Sequence, residues 1–106
     1  MATMVAVKES VMPHAVGRGL RVLGEHVSAW RKLQRLTAAQ VAERAGISRD
    51  TLRTIEQGKG TASTENLLRV LRILGILDSV LDAADPYQTD VGKLRVDEIL
   101  PKRVRE

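Results

Sequence analysis

The 106-residue sequence contains no cysteine and no phenylalanine, and Trp30 and Tyr87 are its only aromatic side chains. Without thiols there is no disulfide, no thiolate zinc site and no cysteine nucleophile, which fits a reducing cytoplasm. So few rings argue against RNA-binding sheets and single-strand-binding barrels, which stack bases on exposed aromatics. No apolar run approaches the roughly 18 residues of a membrane span, and without a basic stretch followed by an apolar one near Met1 no secretory signal is expected. His14 and His26 stand far apart with no acidic or thiol companion at ligand spacing, so no metal is expected. Asp97 and Glu98 are adjacent and point to different sides of a helix, which does not suit paired acid–base catalysis. Gly17-x-Gly19 lacks the third glycine and the preceding strand of a dinucleotide loop. With no nucleophile beside a plausible base, neither an enzyme nor a cofactor is expected.

What is present is a basic chain of ordinary composition. At 11.7 kDa it makes one domain, long enough to bury roughly two thirds of its unfolded surface. Hydrophobic residues at 43% and charged residues at 28% match globular chains, which speaks against wholesale disorder. The net charge of +4 points to a polyanionic partner, and its distribution is more telling than its total. Residues 18–75 hold eleven Lys/Arg against five Asp/Glu, whereas residues 76–101 hold two against six. The first two thirds is therefore expected to meet an anion and the acidic last third to do something else, with a basic tail at Lys102 to Glu106.

Met1 to Pro13 is weakly patterned, with Thr3 to Val7 a candidate β segment. Pro13 interrupts a helix there and Gly17 and Gly19 loosen the residues around them, so residues 1–17 are expected to form a flexible arm. Leu20, Leu23, Val27 and Trp30 then fall at helical spacing and predict an amphipathic helix to about Arg35, with Trp30 in the core. Thr37 with Gln40 forms a capping-box pattern that opens a second helix, buried through Val41 and Ala45 and stopped by Gly46. Ser48 caps a third, with Leu52 and Ile55 inward, ending at Gly58-Lys59-Gly60. Ser63 or Thr64 caps a fourth, whose stripe is Leu67, Leu68, Leu71 and Leu74, with Arg69 and Arg72 outside. Leu77, Val80 and Leu81 predict a short fifth helix before Pro86. Thr89 or Asp90 caps a sixth segment with Val91, Leu94 and Ile99 on one side, closed by Pro101. Nothing alternates convincingly as a strand from Leu20 to Pro86, so the fold class is all-α. The expected organisation is an arm at 1–17, a helical domain at 18–84 and an extension at 85–106 for dimerisation or partner binding.

The informative stretch is Leu36 to Gly60, LTAAQVAERAGISRDTLRTIEQGKG. Two short helices cross steeply where a small residue, Ala42, lets them approach, and the turn between them needs the positive φ that Gly46 tolerates. Ile47, Leu52 and Ile55 anchor the second helix while its opposite face stays free. That is the logic of a helix-turn-helix, whose second helix enters the DNA major groove. Solvated Arg49 and Arg53 are common on any polar face, but at the exposed start of a capped short helix they are better read as base readers.

From about Leu20 to Leu81 the sequence resembles the lambda-repressor/Cro-like helix-turn-helix regulators, the XRE family, through Ala42, Gly46, Ile47, Ser48, Leu52, Ile55, Glu56 and Gly58. The resemblance implies a five-helix lambda-repressor-like domain with a short helical C-terminal extension. It implies base reading by Arg49, Asp50, Arg53 and Thr54 and phosphate contacts at Thr37, Ser48, Lys59 and Thr61. It also implies a buried ion pair between Arg31 and Glu56. Where that family usually carries Gln after the capping Thr this chain has Ala38, which leaves that phosphate contact to backbone amides or to Arg35 and Arg44. The expected function is a cytoplasmic transcriptional regulator, a repressor, binding double-stranded DNA as a homodimer on a two-fold operator. The segment after the motif also looks like the C-terminal half of HipB-type antitoxins. That likeness implies an alternative in which the C-terminal third binds a kinase-like, toxin-like protein partner.

Overall fold

The computed structural model describes residues 11–99, apart from the side chain of Asp97; the candidate β segment at Thr3 to Val7, Pro101 and the basic tail lie outside them. Among the described residues the chain is all-helical, without a strand. It divides into two compact units between Leu74 and Gly75.

The first unit contains α1 (His14–Leu33), α2 (Ala38–Ala45), α3 (Arg49–Glu56) and α4 (Thr64–Leu74). α1 begins inside the segment expected to be an arm. Pro13, with φ −57° and ψ 144°, stands just outside the helix and sends the chain into it, so the proline starts α1 instead of interrupting it. Gly17 and Gly19 are then carried inside α1 because the downstream apolar face holds the helix down, at a cost of about 1 kcal/mol each relative to Ala. That face closes over Gly24 and Val27, with Leu20 and Leu23 half-buried beside them.

Val27, Val41, Leu52 and Val70 are fully enclosed, with Leu71 and Leu74 nearly so. Each such burial is worth roughly 1.5–3 kcal/mol. α1 packs against α3 and α2 against α4. The α1–α3 approach is set by Gly24, where a Cβ would stand 2.5 Å from the Ile55 carbonyl oxygen and 2.6 Å from that of Glu56. Trp30, expected in the core, remains 42% exposed. It lies at the margin of the stripe whose centre Val27 and Gly24 occupy, so the inward position at that level of α1 is already filled.

The second unit contains α5 (Leu77–Ala84), a 3-10 turn (Pro86–Gln88) and α6 (Asp90–Ile99). α5 thus groups with the C-terminal unit, earlier in the chain than the expected boundary at 84. The Asp85 carboxylate accepts from the Tyr87 amide at 2.9 Å, and the Thr89 hydroxyl caps α6 by accepting from the Gly92 amide at 2.9 Å. α6 lies so close on the 3-10 turn that a Cβ at Gly92 would collide with the Pro86 carbonyl oxygen. Val96 is buried, whereas Val91, Leu94 and Ile99 are exposed.

Candidate nucleic-acid interface

The interface is built around α2, a turn and α3. Thr37 opens α2 with a complete capping box: its Oγ1 accepts from the Gln40 amide at 3.0 Å, and the Gln40 side chain accepts from the Thr37 amide at 2.9 Å. Gly46, at φ 73°, turns the chain, with the Gly46 amide donating to the Glu43 carbonyl and the Ile47 amide to that of Ala42 at 3.0 Å. Arg69 on α4 braces this turn. Its Nη1 donates to the Ala45 carbonyl at 3.3 Å while Nε and Nη2 hold Glu65, so a side chain expected only to face outward supports the motif.

Ser48 starts α3 by accepting from the Thr51 amide at 3.0 Å. Its hydroxyl also lies 2.9 Å from that of Thr51. One of the two protons is spent between them, and the other remains for an outside acceptor. Sequence reasoning gives Thr51 no role, although its place three residues after a cap is a usable signal. α3 ends as α2 does: Gly58 takes φ 73°, and the Lys59 amide reaches back to the Thr54 carbonyl at 3.1 Å.

With both ends fixed and Leu52 and Ile55 inward, α3 turns Arg49, Asp50 and Arg53 to solvent and leaves Thr54 half-buried. Arg53 Nη1 stands 3.6 Å from Asp50 Oδ1, an exposed pair worth at most about 1 kcal/mol, so both side chains stay free to move. Thr61 lies with Asp50, Thr54 and Asn66 around a shallow cleft of about 290 Å³. Asn66 escapes sequence reasoning because only the packing of α4 beside α3 brings it there. Lys59 sits apart from this group, on the side where the loop meets α1. Thr37 is exposed at the start of α2, its acceptor capacity partly taken by the capping box.

Arg31 and Glu56 form a two-pronged ion pair. Nε donates to Oε2 at 2.8 Å and Nη2 to Oε1 at 3.0 Å, with only 14% and 15% of the side chains exposed. The remaining Nη1 donates to the Leu36 carbonyl at 3.2 Å, so one guanidinium ties α1 to the end of α3 and to the entry into α2. The Glu56 hydrogen bonds raise the Arg31 pKa above its ordinary value, outweighing the opposite effect of burial. The pair forms the inner wall of a second cleft of about 400 Å³, bordered by Ser28, Ala38, Arg49, Arg53 and Gln57. The methyl group of Ala38 leaves this cleft open at the start of α2. Arg35 and Arg44 are exposed on either side of the α2 region, and Arg35 adopts a left-handed φ of 59° at the end of α1.

This arrangement offers capped helix starts, exposed guanidinium donors and a carboxylate acceptor on a rigid support, the chemistry of polyanion contact and base-edge hydrogen bonding. No described helix is long and apolar enough to cross a membrane. Comparison with curated proteins and with solved structures found no match. A family model described as a helix-turn-helix domain matches residues 22–90. That match spans most of the chain and contains the whole α2–turn–α3 unit, and the protein accordingly belongs to this helix-turn-helix domain family, a class of DNA-binding regulators.

Proposed function

We propose that the protein is a sequence-specific transcriptional repressor of the XRE type that binds duplex DNA in the cytoplasm as a homodimer. The observation that carries this reading is α3 itself: it is capped by Ser48, anchored by Leu52 and Ile55, and presents Arg49, Asp50 and Arg53 to solvent. Arg49, in the first turn, can enter the major groove and meet the O6/N7 edge of guanine with two hydrogen bonds. Asp50 accepts from a cytosine amino group or steadies the Arg53 fork, and Thr54 meets a thymine methyl. Thr37, Ser48, Lys59 and Thr61 hold phosphates, while Arg31 and Glu56 hold α3 in place.

Dimerisation is supported by Val80, Leu81, Val91, Leu94 and Ile99, all exposed in the C-terminal unit. Pairing them about a two-fold axis gives a dimer with two recognition helices, suited to an operator of matching symmetry whose half-sites lie one DNA turn, about 34 Å, apart. Repression is the regulatory sense that occupancy of an operator alone produces.

The test begins with selection of bound duplexes from a random pool, followed by titrations on the selected operator and a scrambled duplex at two salt concentrations. Arg49→Ala is expected to cost about 1–3 kcal/mol on the operator and to relax one base pair per half-site. Lys59→Ala is expected to weaken both duplexes alike and to lower the salt slope by about one. Equal weakening of both duplexes by Arg49→Ala overturns the assignment of α3 as reader.

A further inference from the structure

The phosphate contacts assigned so far come from the motif and the loop after it, but the first half of α1 carries two arginines that no role has absorbed. Arg18 and Arg21 are three residues apart on one side of the helix, both exposed. Neither they nor Lys59 take part in any ion pair or side-chain hydrogen bond among the described residues.

Two observations bring this side of α1 to the DNA-facing surface. Arg21 is held against the loop after α3: a Cβ on Gly58 would stand 2.7 Å from the Arg21 Cα, so glycine lets the α1 backbone lie directly against the residue before Lys59. Ser28, seven residues after Arg21 and so on the same side about 10.5 Å along the axis, borders the cleft that Arg49 and Arg53 also border. The line from the recognition helix through Ser28 to Arg21 and Arg18 therefore runs along one continuous surface. Its far end lies beside Lys59. Glu25, between Ser28 and Arg21, is the only acidic residue on α1.

We infer that Arg18 and Arg21 form, with Lys59, a second phosphate-binding strip that follows the DNA backbone outward from the recognition helix. The inference rests on the duplex-DNA reading of α3 and extends the contact surface to α1. Its contacts are charge on charge, so they add affinity to every duplex equally and read no bases. The Arg21 guanidinium already lies back along α1, with Nη1 3.5 Å from where a Gly17 Cβ would be, and so keeps to the helix surface.

The experiment is a salt titration of the full-length protein on the selected operator and on a scrambled duplex of equal length. Wild type is compared with Arg21→Ala, Arg18→Ala/Arg21→Ala, Arg21→Lys and Glu25→Gln, each checked for an unchanged circular dichroism spectrum. Each lost contact should reduce the salt slope by about 0.9, so the affinity lost between 50 and 200 mM salt shrinks by about threefold per arginine removed. The operator-to-scrambled ratio should stay constant. Arg21→Lys should restore the slope, and Glu25→Gln should tighten both duplexes. Wild-type slope and affinity in the double variant overturn the strip and leave the α3 reading intact. Failure of wild type to bind any duplex overturns both.

Discussion

At the scale of single residues, the Arg31–Glu56 pair decides the most. Both charges are largely withdrawn from water, so each is tolerable only because the other is there. Glu56→Gln or Arg31→Met should therefore cost about 3 kcal/mol, read as a fall in Tm, while exposed Asp50→Asn should leave Tm nearly unchanged. Folding raises the Arg31 pKa, so this contribution is complete below the ordinary arginine value and is lost only as pH climbs through the still higher folded one. A chemical-denaturation series from neutral pH to about pH 10 should find the Arg31→Met penalty constant across that window. Neither partner can be matched to the other from local pattern alone, because 25 residues separate them; only the likeness to the XRE family links them.

At the scale of elements, helix ends are readable in the sequence and helix-to-helix distances are not. Thr37, Gly46 and Ser48 act within four residues of themselves, so two capping hydroxyls and one residue tolerant of positive φ already specify where α2 starts and stops and where α3 starts. The start of α1 defies that logic because Pro13, Gly17 and Gly19 are breakers by propensity, and packing further along the helix overrides that preference. Gly24 gives no local signal, since the carbonyl edge of α3 is the thing that makes it necessary. These glycines on one helix should respond in opposite directions. A Cβ at Gly19 meets nothing within 4 Å, so Gly19→Ala should stabilise by about 0.5–1 kcal/mol. Gly24→Ala drives a methyl into backbone oxygens that cannot step aside and should destabilise by about 1–3 kcal/mol despite the better helix former. Thermal melts of the two variants decide the matter.

At the scale of the whole molecule, basic and acidic portions of the chain correspond closely to two compact units, the break falling at Gly75 with its φ of 80°. The charge count locates the change of character beside the break, whereas helical periodicity does not mark it, because the stripe of Leu77, Val80 and Leu81 continues the helical pattern across it. Exposed apolar side chains of the C-terminal unit make dimerisation testable without disturbing a core. Leu81 and Leu94 are 50% and 75% exposed, so Leu81→Glu/Leu94→Glu should fold as wild type. In sedimentation at tens of micromolar, wild type should run as a dimer and this variant as a monomer. A wild type that is monomeric there removes the two-fold operator from the proposal.

Trp30 is the only indole in the chain, and it stands half in water beside Arg31. The molecule therefore carries its own fluorimeter: light excited selectively in the indole band is emitted from one point on α1. Quencher access to that point reports, with no dye attached, whether this face of α1 is covered when chains associate or when a duplex is added.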